Sequence, residues 1–236
     1  MTTRGSLDGP AAPAQALPLL SGASTLPSML FDLLEEAIIT GMLEPGGRIH
    51  ADDLATHYGI SRIPIREALR SLHEAGWVDI KPRYGVRVRE RTEQELTELF
   101  EFRALVEGHV ARWAAERRTD ADLTLLERTV RAGEKAQRSR DHVAVISSSN
   151  SAFYDTLTTA AHNSVLKTTA VGLRKRARFY FSTVEDQLGS DWIEVHRSLA
   201  QAVREAQPDH AARIAAAHIV ETGAAVRGLL FHPAAP

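Results

Sequence analysis

At 236 residues the chain has room for two modest domains, and a hydrophobic content of 44% can supply a core for each. With no Cys there is no disulfide framework and no thiolate chemistry. A formal net charge of −2 argues against wholesale coating of a polyanion, so any such contact must be local. The lack of an unbroken apolar span or a leader-like N-terminus sets the expectation of a soluble, cytoplasmic protein.

Residues 1–27 are rich in Ala, Pro, Gly and Ser and show no periodicity, which predicts a flexible N-terminal arm. Ser28 is a candidate cap for a helix from about Met29 to Thr40, with Leu30, Phe31, Leu34, Ile38 and Ile39 on its buried stripe and Gly41 as its stop. Pro45-Gly46-Gly47 reads as a turn. Arg48-Ile49-His50 reads as a short strand.

The stretch ADDLATHYGISRIPIREALRSLHEAGWVDIKPRYGVRV, residues 51–88, carries the main signal. A short helix with Leu54 and Ala55 runs into Gly59, where a sharp turn needs positive φ, and Ile60 turns inward after it. Ser61 is placed to cap a second helix and Pro64 falls in its first turn. Ile65, Ala68, Leu69 and Leu72 recur at helical spacing. This is the packing order of a helix-turn-helix, with Arg62, Ile63, Arg66 and Arg70 on the outward face. Such a face can meet phosphates and base edges in a major groove. WVDI and VRV then form two strands of a wing whose tip is Lys81 to Gly85, with Arg83 between. From Ile60 to Arg91 eight basic residues stand against four acidic ones, so positive charge is concentrated where phosphate contact needs it.

SRIPIREALRSLHEAGWV resembles the signature of the GntR family of bacterial transcription regulators, and the preceding GMLEPGGRI resembles the family's segment ahead of its helix-turn-helix. The resemblance implies a winged helix-turn-helix over residues 28–91 that binds an operator. Ile63 stands where the family usually has Thr, an apolar group in place of a hydroxyl.

From Thr92 to about residue 232 no strand signal occurs. Thr92 with Glu95 is a capping box. Six helical segments are predicted, at about 93–117, 121–138, 141–159, 164–186, 190–206 and 208–230, with Ser164, Asp191 and Pro208 at three of the starts. Arg103 lies on the apolar stripe of the first, among Leu96, Leu99, Phe100, Val106 and Val110. A guanidinium there calls for an anion, either a bound carboxylate or phosphate or Glu107 four residues on. The fold class is therefore mainly α: an N-terminal winged helix-turn-helix and a C-terminal all-helical bundle for effector binding and dimerisation. The features EFRALVEGHVARWAA, NSAFYDTL with AHN, EVHRSLAQAV and HAARIAAAHI resemble the FCD effector domain of the FadR-like branch, in its six-helix, VanR-like form.

In that domain the pattern D-x-x-F-H and two later His commonly hold a divalent metal. Here D-x-x-F-H reads Asn150-Ser151-Ala152-Phe153-Tyr154, while His196 and His218 keep the other two positions. A neutral amide and a phenol are poor replacements for a carboxylate and an imidazole. No cofactor is expected, only a degenerate metal site that retains His196 and His218 with weak divalent-metal affinity at most. Asn150, Tyr154, His196 and His218 are then expected to bind an effector directly, or to satisfy one another inside the bundle. The basic run Arg174-Lys175-Arg176-Ala177-Arg178 reads either as a solvated face or as one from which a single residue, Arg178, faces the cavity. No catalytic residues are expected.

The resulting expectation is a ligand-responsive regulator, chiefly a repressor, that binds double-stranded operator DNA as a homodimer and responds to a small organic acid. The rivals are a helical-bundle enzyme with a DNA-targeting head and an architectural DNA-binding dimer without effector.

Overall fold

The computed structural model describes residues 25–81, 83–139, 143–188 and 192–233. The chain divides into two compact units that separate between Arg91 and Thr92.

In the first unit, α1 (Leu26–Ile39) buries Leu30, Leu34, Ala37 and Ile38 at helical spacing. It begins earlier than the sequence suggested. Leu26 and Pro27 belong to the helix rather than the arm, because Pro is pre-set for a first turn and its missing N–H costs nothing there. Thr25, not Ser28, is the N-cap, and it makes no side-chain cap bond. The arm expected over residues 1–24 lies outside the described residues.

Then follow β1 (Arg48–Ile49), α2 (Ala51–Tyr58), α3 (Arg62–Glu74), β2 (Val78–Lys81) and β3 (Gly85–Val88). The three strands form an antiparallel sheet in the order β1-β3-β2, with Val78 opposite Val88, Lys81 opposite Gly85 and Ile49 opposite Val86. α2 and α3 stop in the same way. Gly59 at φ 64° lets its N–H reach Thr56 O while Ile60 N–H reaches Ala55 O. Gly76 at φ 78° repeats the pattern on His73 O, with Trp77 N–H on Leu72 O. Both are Schellman ends, which need a left-handed residue and so favour glycine. The first fixes the turn between α2 and α3. The second launches the wing. Trp77 Nε1–H also donates to Glu35 Oε1 at 2.9 Å, a buried bond that ties the root of the wing to α1.

The second unit contains α4 (Glu93–Arg117), α5 (Asp120–Ser139), α6 (Val143–Ala160), α7 (Ser164–Phe181), a 3-10 turn (Glu185–Gln187), α8 (Trp192–Arg204) and α9 (Pro208–Phe231). Thr92 Oγ1 accepts the Glu95 N–H at 3.1 Å, half of the expected capping box. α7 is capped by Asn163, whose Oδ1 accepts Leu166 N–H at 2.8 Å, not by Ser164. It ends at Phe181 rather than near 186, where Thr183 and Val184 favour a turn over further helix. The cap expected at Asp191 and the inward positions Val143 and Ile146 lie outside the described residues and side chains.

α4 and α9 run antiparallel along their whole length. Glu93 pairs with Arg227 at 4.0 Å near one end and Arg112 pairs with Asp209 near the other. Between them the backbones come close: a Cβ on Gly223 would sit 2.8 Å from the Phe100 side chain. By length and composition α9 could cross a membrane. Here its inner face, with Ala211, Ala215, Ile219 and Val226, is buried within the bundle. The core around them is built from Val110, Ala114, Leu126, Phe153, Leu157, Leu199 and Val203.

Candidate functional site

The first candidate site is the outward face of α3. Ile65, Ala68, Leu69 and Leu72 are buried, which forces Arg62, Ile63, Arg66 and Arg70 into solvent. Ile63 is 69% exposed in the first turn. Arg62 Nε lies 2.9 Å from Asp52 Oδ1 of α2, with both side chains largely in water. Arg66 and Arg70 have no ion-pair partner among the described residues. Ser61 is the N-cap of α3, but its hydroxyl makes no cap bond. At the wing tip Lys81, Arg83 and Gly85 are exposed, Arg83 at φ 67° and Gly85 at φ 81°. Two of the basic residues counted in the sequence do other work. Arg87 Nη1 donates to Gly46 O at 3.0 Å and Arg89 Nη1 to Gly76 O at 3.4 Å, so both brace the wing. Sequence reasoning passed over Tyr84, which stands 65% exposed beside Arg83. An aromatic next to a basic turn was the signal for it.

The second site lies inside the helical unit. Arg103 and Glu107, both on α4, are buried, with relative exposures of 6% and 0%. Glu107 Oε1 faces Arg103 Nε at 3.9 Å and Arg174 Nη1 at 3.2 Å. Arg174 also donates to Thr158 Oγ1 at 3.0 Å and to Asp155 Oδ1 at 2.8 Å. The basic run on α7 is thus corrected. Arg174 is the guanidinium that enters, because it lies one turn before buried Ala177 on the inward face. Arg178 is half-buried further along the same helix.

His196 is fully buried on α8, its ring stacked on Phe153 at 3.8 Å and edge-on to Tyr154 at 5.4 Å and Trp192 at 5.1 Å. Burial and the nearby His218 draw its pKa down to about 3. Burial and the Arg103 charge draw His218 down to about 4. Both imidazoles are therefore neutral at physiological pH. Burial raises the Tyr154 phenol above its ordinary value, with Glu107 adding to the shift, so it keeps its proton. Burial also lowers Arg103, against the pull of Glu107.

Arg103, Tyr154, His196 and His218 are thereby brought into one linked group, with Asn150 one turn before Tyr154 on α6. They do not satisfy one another. Among the described residues, Arg103 Nε, Glu107 Oε2, Asn150 Oδ1, Tyr154 OH and both His196 ring nitrogens are buried without a hydrogen-bond partner. Orphaned buried polar atoms are rare and need an account, most simply a bound polar molecule or water. A divalent metal is a poor fit to this donor set. Asn150 offers a neutral oxygen, Tyr154 holds its proton, and no group of three His, Cys, Asp or Glu side chains converges among the described residues.

Comparison with known proteins bears on both sites. Residues 26–88 match the family of bacterial regulatory proteins, gntR family, and residues 98–221 match the FCD domain. The HTH-type transcriptional regulator YdhC of Bacillus subtilis (strain 168), itself uncharacterized, is 26% identical over 190 residues, 80% of this chain and 85% of that protein. The galactonate operon transcriptional repressor of Escherichia coli (strain K12) is 26% identical over 205 residues, 77% of this chain and 88% of its own. Among solved structures, E. coli McbR/YncC superposes with a TM-score of 0.72 at 22% identity, covering 89% of this chain and all of that one, which speaks to the fold. The exposed basic helix and wing sit within one matched stretch and the orphaned polar interior within the other, and the chain belongs to the gntR family of bacterial regulatory proteins, with an FCD domain.

Proposed function

We propose that the protein is a ligand-responsive repressor that acts in the cytoplasm and grips a palindromic operator as a homodimer. Its DNA contacts are Ser61, Arg62, Ile63, Arg66 and Arg70 of α3, with Lys81, Arg83 and Gly85 at the wing. A small organic acid bound among Arg103, Asn150, Tyr154, His196 and His218 sets its DNA affinity. The observation that carries the reading is the α3 face: four exposed side chains, two of them arginines without an ion-pair partner among the described residues, in a chain of net negative charge. Arg62 is the arginine on this face that has a counter-ion within the described first unit, Asp52; Arg66 and Arg70 are left for an outside partner, and an arginine fork fits guanine O6 and N7.

A single helix of this length contacts few base pairs, so a second copy is needed to read a palindrome. The face for it is on the outer side of the α4–α9 pair. Phe102 and Leu105 on α4 and Val220 on α9 are exposed, and the antiparallel pairing brings them to a similar level. An effector can shift DNA affinity only as far as it prefers one arrangement of the dimer over another.

Arg66→Ala tests the reading directly. In a gel-shift titration at fixed salt it is expected to weaken operator binding by about 1–3 kcal/mol; unchanged binding would remove Arg66 from the interface. His196→Ala is expected to leave DNA binding intact and blunt the effector response.

A further inference from the structure

The charges inside the helical unit close on one another. Glu107 stands against Arg103 and Arg174, and Arg174 also meets Asp155 at the rim. Two guanidinium groups thus face two carboxylates. Tyr154 and both imidazoles are uncharged, so no net positive charge remains to hold a bare anion. Yet two members of this balanced set are unsatisfied. At 3.9 Å the Arg103 Nε contact is too long for a hydrogen bond, and Nε has no other acceptor. Glu107 Oε2 has no donor. A buried cationic donor and a buried anionic acceptor, one helical turn apart on α4, each lack a complement. On α6, Asn150 Oδ1 is a further acceptor without a donor among the described residues.

Three kinds of small molecule can be weighed against this inventory. A plain carboxylate would serve Arg103 but bring a second anion beside buried Glu107. An alcohol would serve Glu107 and offer Arg103 no counter-charge. A molecule with a carboxylate and an ammonium on one carbon serves both and keeps the interior neutral, which matters because an uncompensated buried charge is costly. The Phe100 ring lies 5.4 Å from the Arg103 guanidinium carbon, and Tyr154, whose phenol feels both Arg103 and Glu107, packs edge-on to the neutral His196 ring; these aromatic surfaces suit an apolar side chain.

We infer that the occupant is an α-amino acid zwitterion with an apolar side chain, its carboxylate on Arg103 and its ammonium on Glu107 Oε2 and Asn150 Oδ1. The inference rests on the reading of this interior as the effector site and narrows the organic acid to one class. Charge-assisted bonds at both ends make the ammonium group, not the carboxylate alone, the determinant of affinity.

The test is calorimetric titration of the full chain with each of the twenty standard L-amino acids, and with the 2-hydroxy acid and the deaminated acid matching each apolar one. An apolar amino acid is expected to bind, with its 2-hydroxy acid weaker by about tenfold or more and its deaminated acid weaker still. Glu107→Gln, which keeps the shape, is expected to cost the amino acid about tenfold and to narrow its advantage over the hydroxy acid. Should that variant fail to fold by circular dichroism, Asn150→Ala at its half-buried position tests the same preference. Absence of binding by every amino acid overturns the inference, as does a hydroxy or deaminated acid that binds as tightly. If such an acid binds and Asn150→Ala weakens it, the effector site stands and the zwitterion falls. If binding ignores Asn150→Ala and His196→Ala alike, both fall.

Discussion

His196 and His218 show how burial at one residue becomes a property of the whole helical unit. Their folded pKa values of about 3 and about 4 lie below the ordinary imidazole value of 6.5. Between these limits the unfolded chain binds protons that the folded chain refuses. The stabilisation is therefore complete above pH 6.5 and is lost as the pH falls toward 4 and below. Each imidazole is expected to cost about 1–2 kcal/mol at pH 5 relative to pH 7. Guanidinium unfolding at several pH values, repeated on His196→Asn, checks this: the variant should show a shallower acid slope. Arg103 and Arg174 were both visible in the sequence as charges on helices, but only Arg103 could be placed inside. Its neighbours at helical spacing were apolar, whereas Arg174 sits in a run of charges that looks solvated until Glu107, far away in sequence, gives it a counter-ion.

At the scale of elements, close approach and end geometry set the tolerances. Gly223 lets α9 press against Phe100 of α4, and a methyl group there would meet that ring at 2.8 Å. Gly223→Ala is expected to destabilise the helical unit by about 1–3 kcal/mol through overpacking, measured as a drop in its unfolding midpoint. α8 ends like α2 and α3, with Ala206 N–H on Val203 O and Gln207 N–H on Ala202 O, but with alanine at φ 53° in the left-handed position. Ala206→Gly should therefore raise stability by up to about 1 kcal/mol, since relief of strain outweighs the added freedom of the unfolded chain. Gly59 was readable as a left-handed stop because a helical pattern broke at it. Ala206 was not, because nothing in alanine announces that conformation. The six helices of the second unit were legible from apolar spacing. Their caps were less so, since Asn163 and Ser164 are adjacent and both are good capping residues.

For the whole molecule, the outer face of α4 and α9 is where self-association is expected. Leu105→Arg places a charge at its most exposed apolar position on α4, 65% exposed in the single chain. Light scattering coupled to gel filtration is expected to show a shift from dimer toward monomer, and operator affinity should fall with it while α3 is untouched. A dimer that survives the change would place the contact elsewhere. The family was legible because the α3 signature is local and dense. The proposed dimer face was not, because an exposed leucine on a helix looks like any other until the partner helix that buries the opposite side is known.

Trp192, edge-on to His196 at 5.1 Å, gives the helical unit an optical probe of its own. Its indole emission will be quenched or shifted by whatever displaces the imidazole it abuts, while Trp77, locked to Glu35, stays constant as an internal reference. With only three tryptophans in the chain, a Trp113→Phe background leaves one reporter in each unit, so effector arrival can be timed by fluorescence without any label.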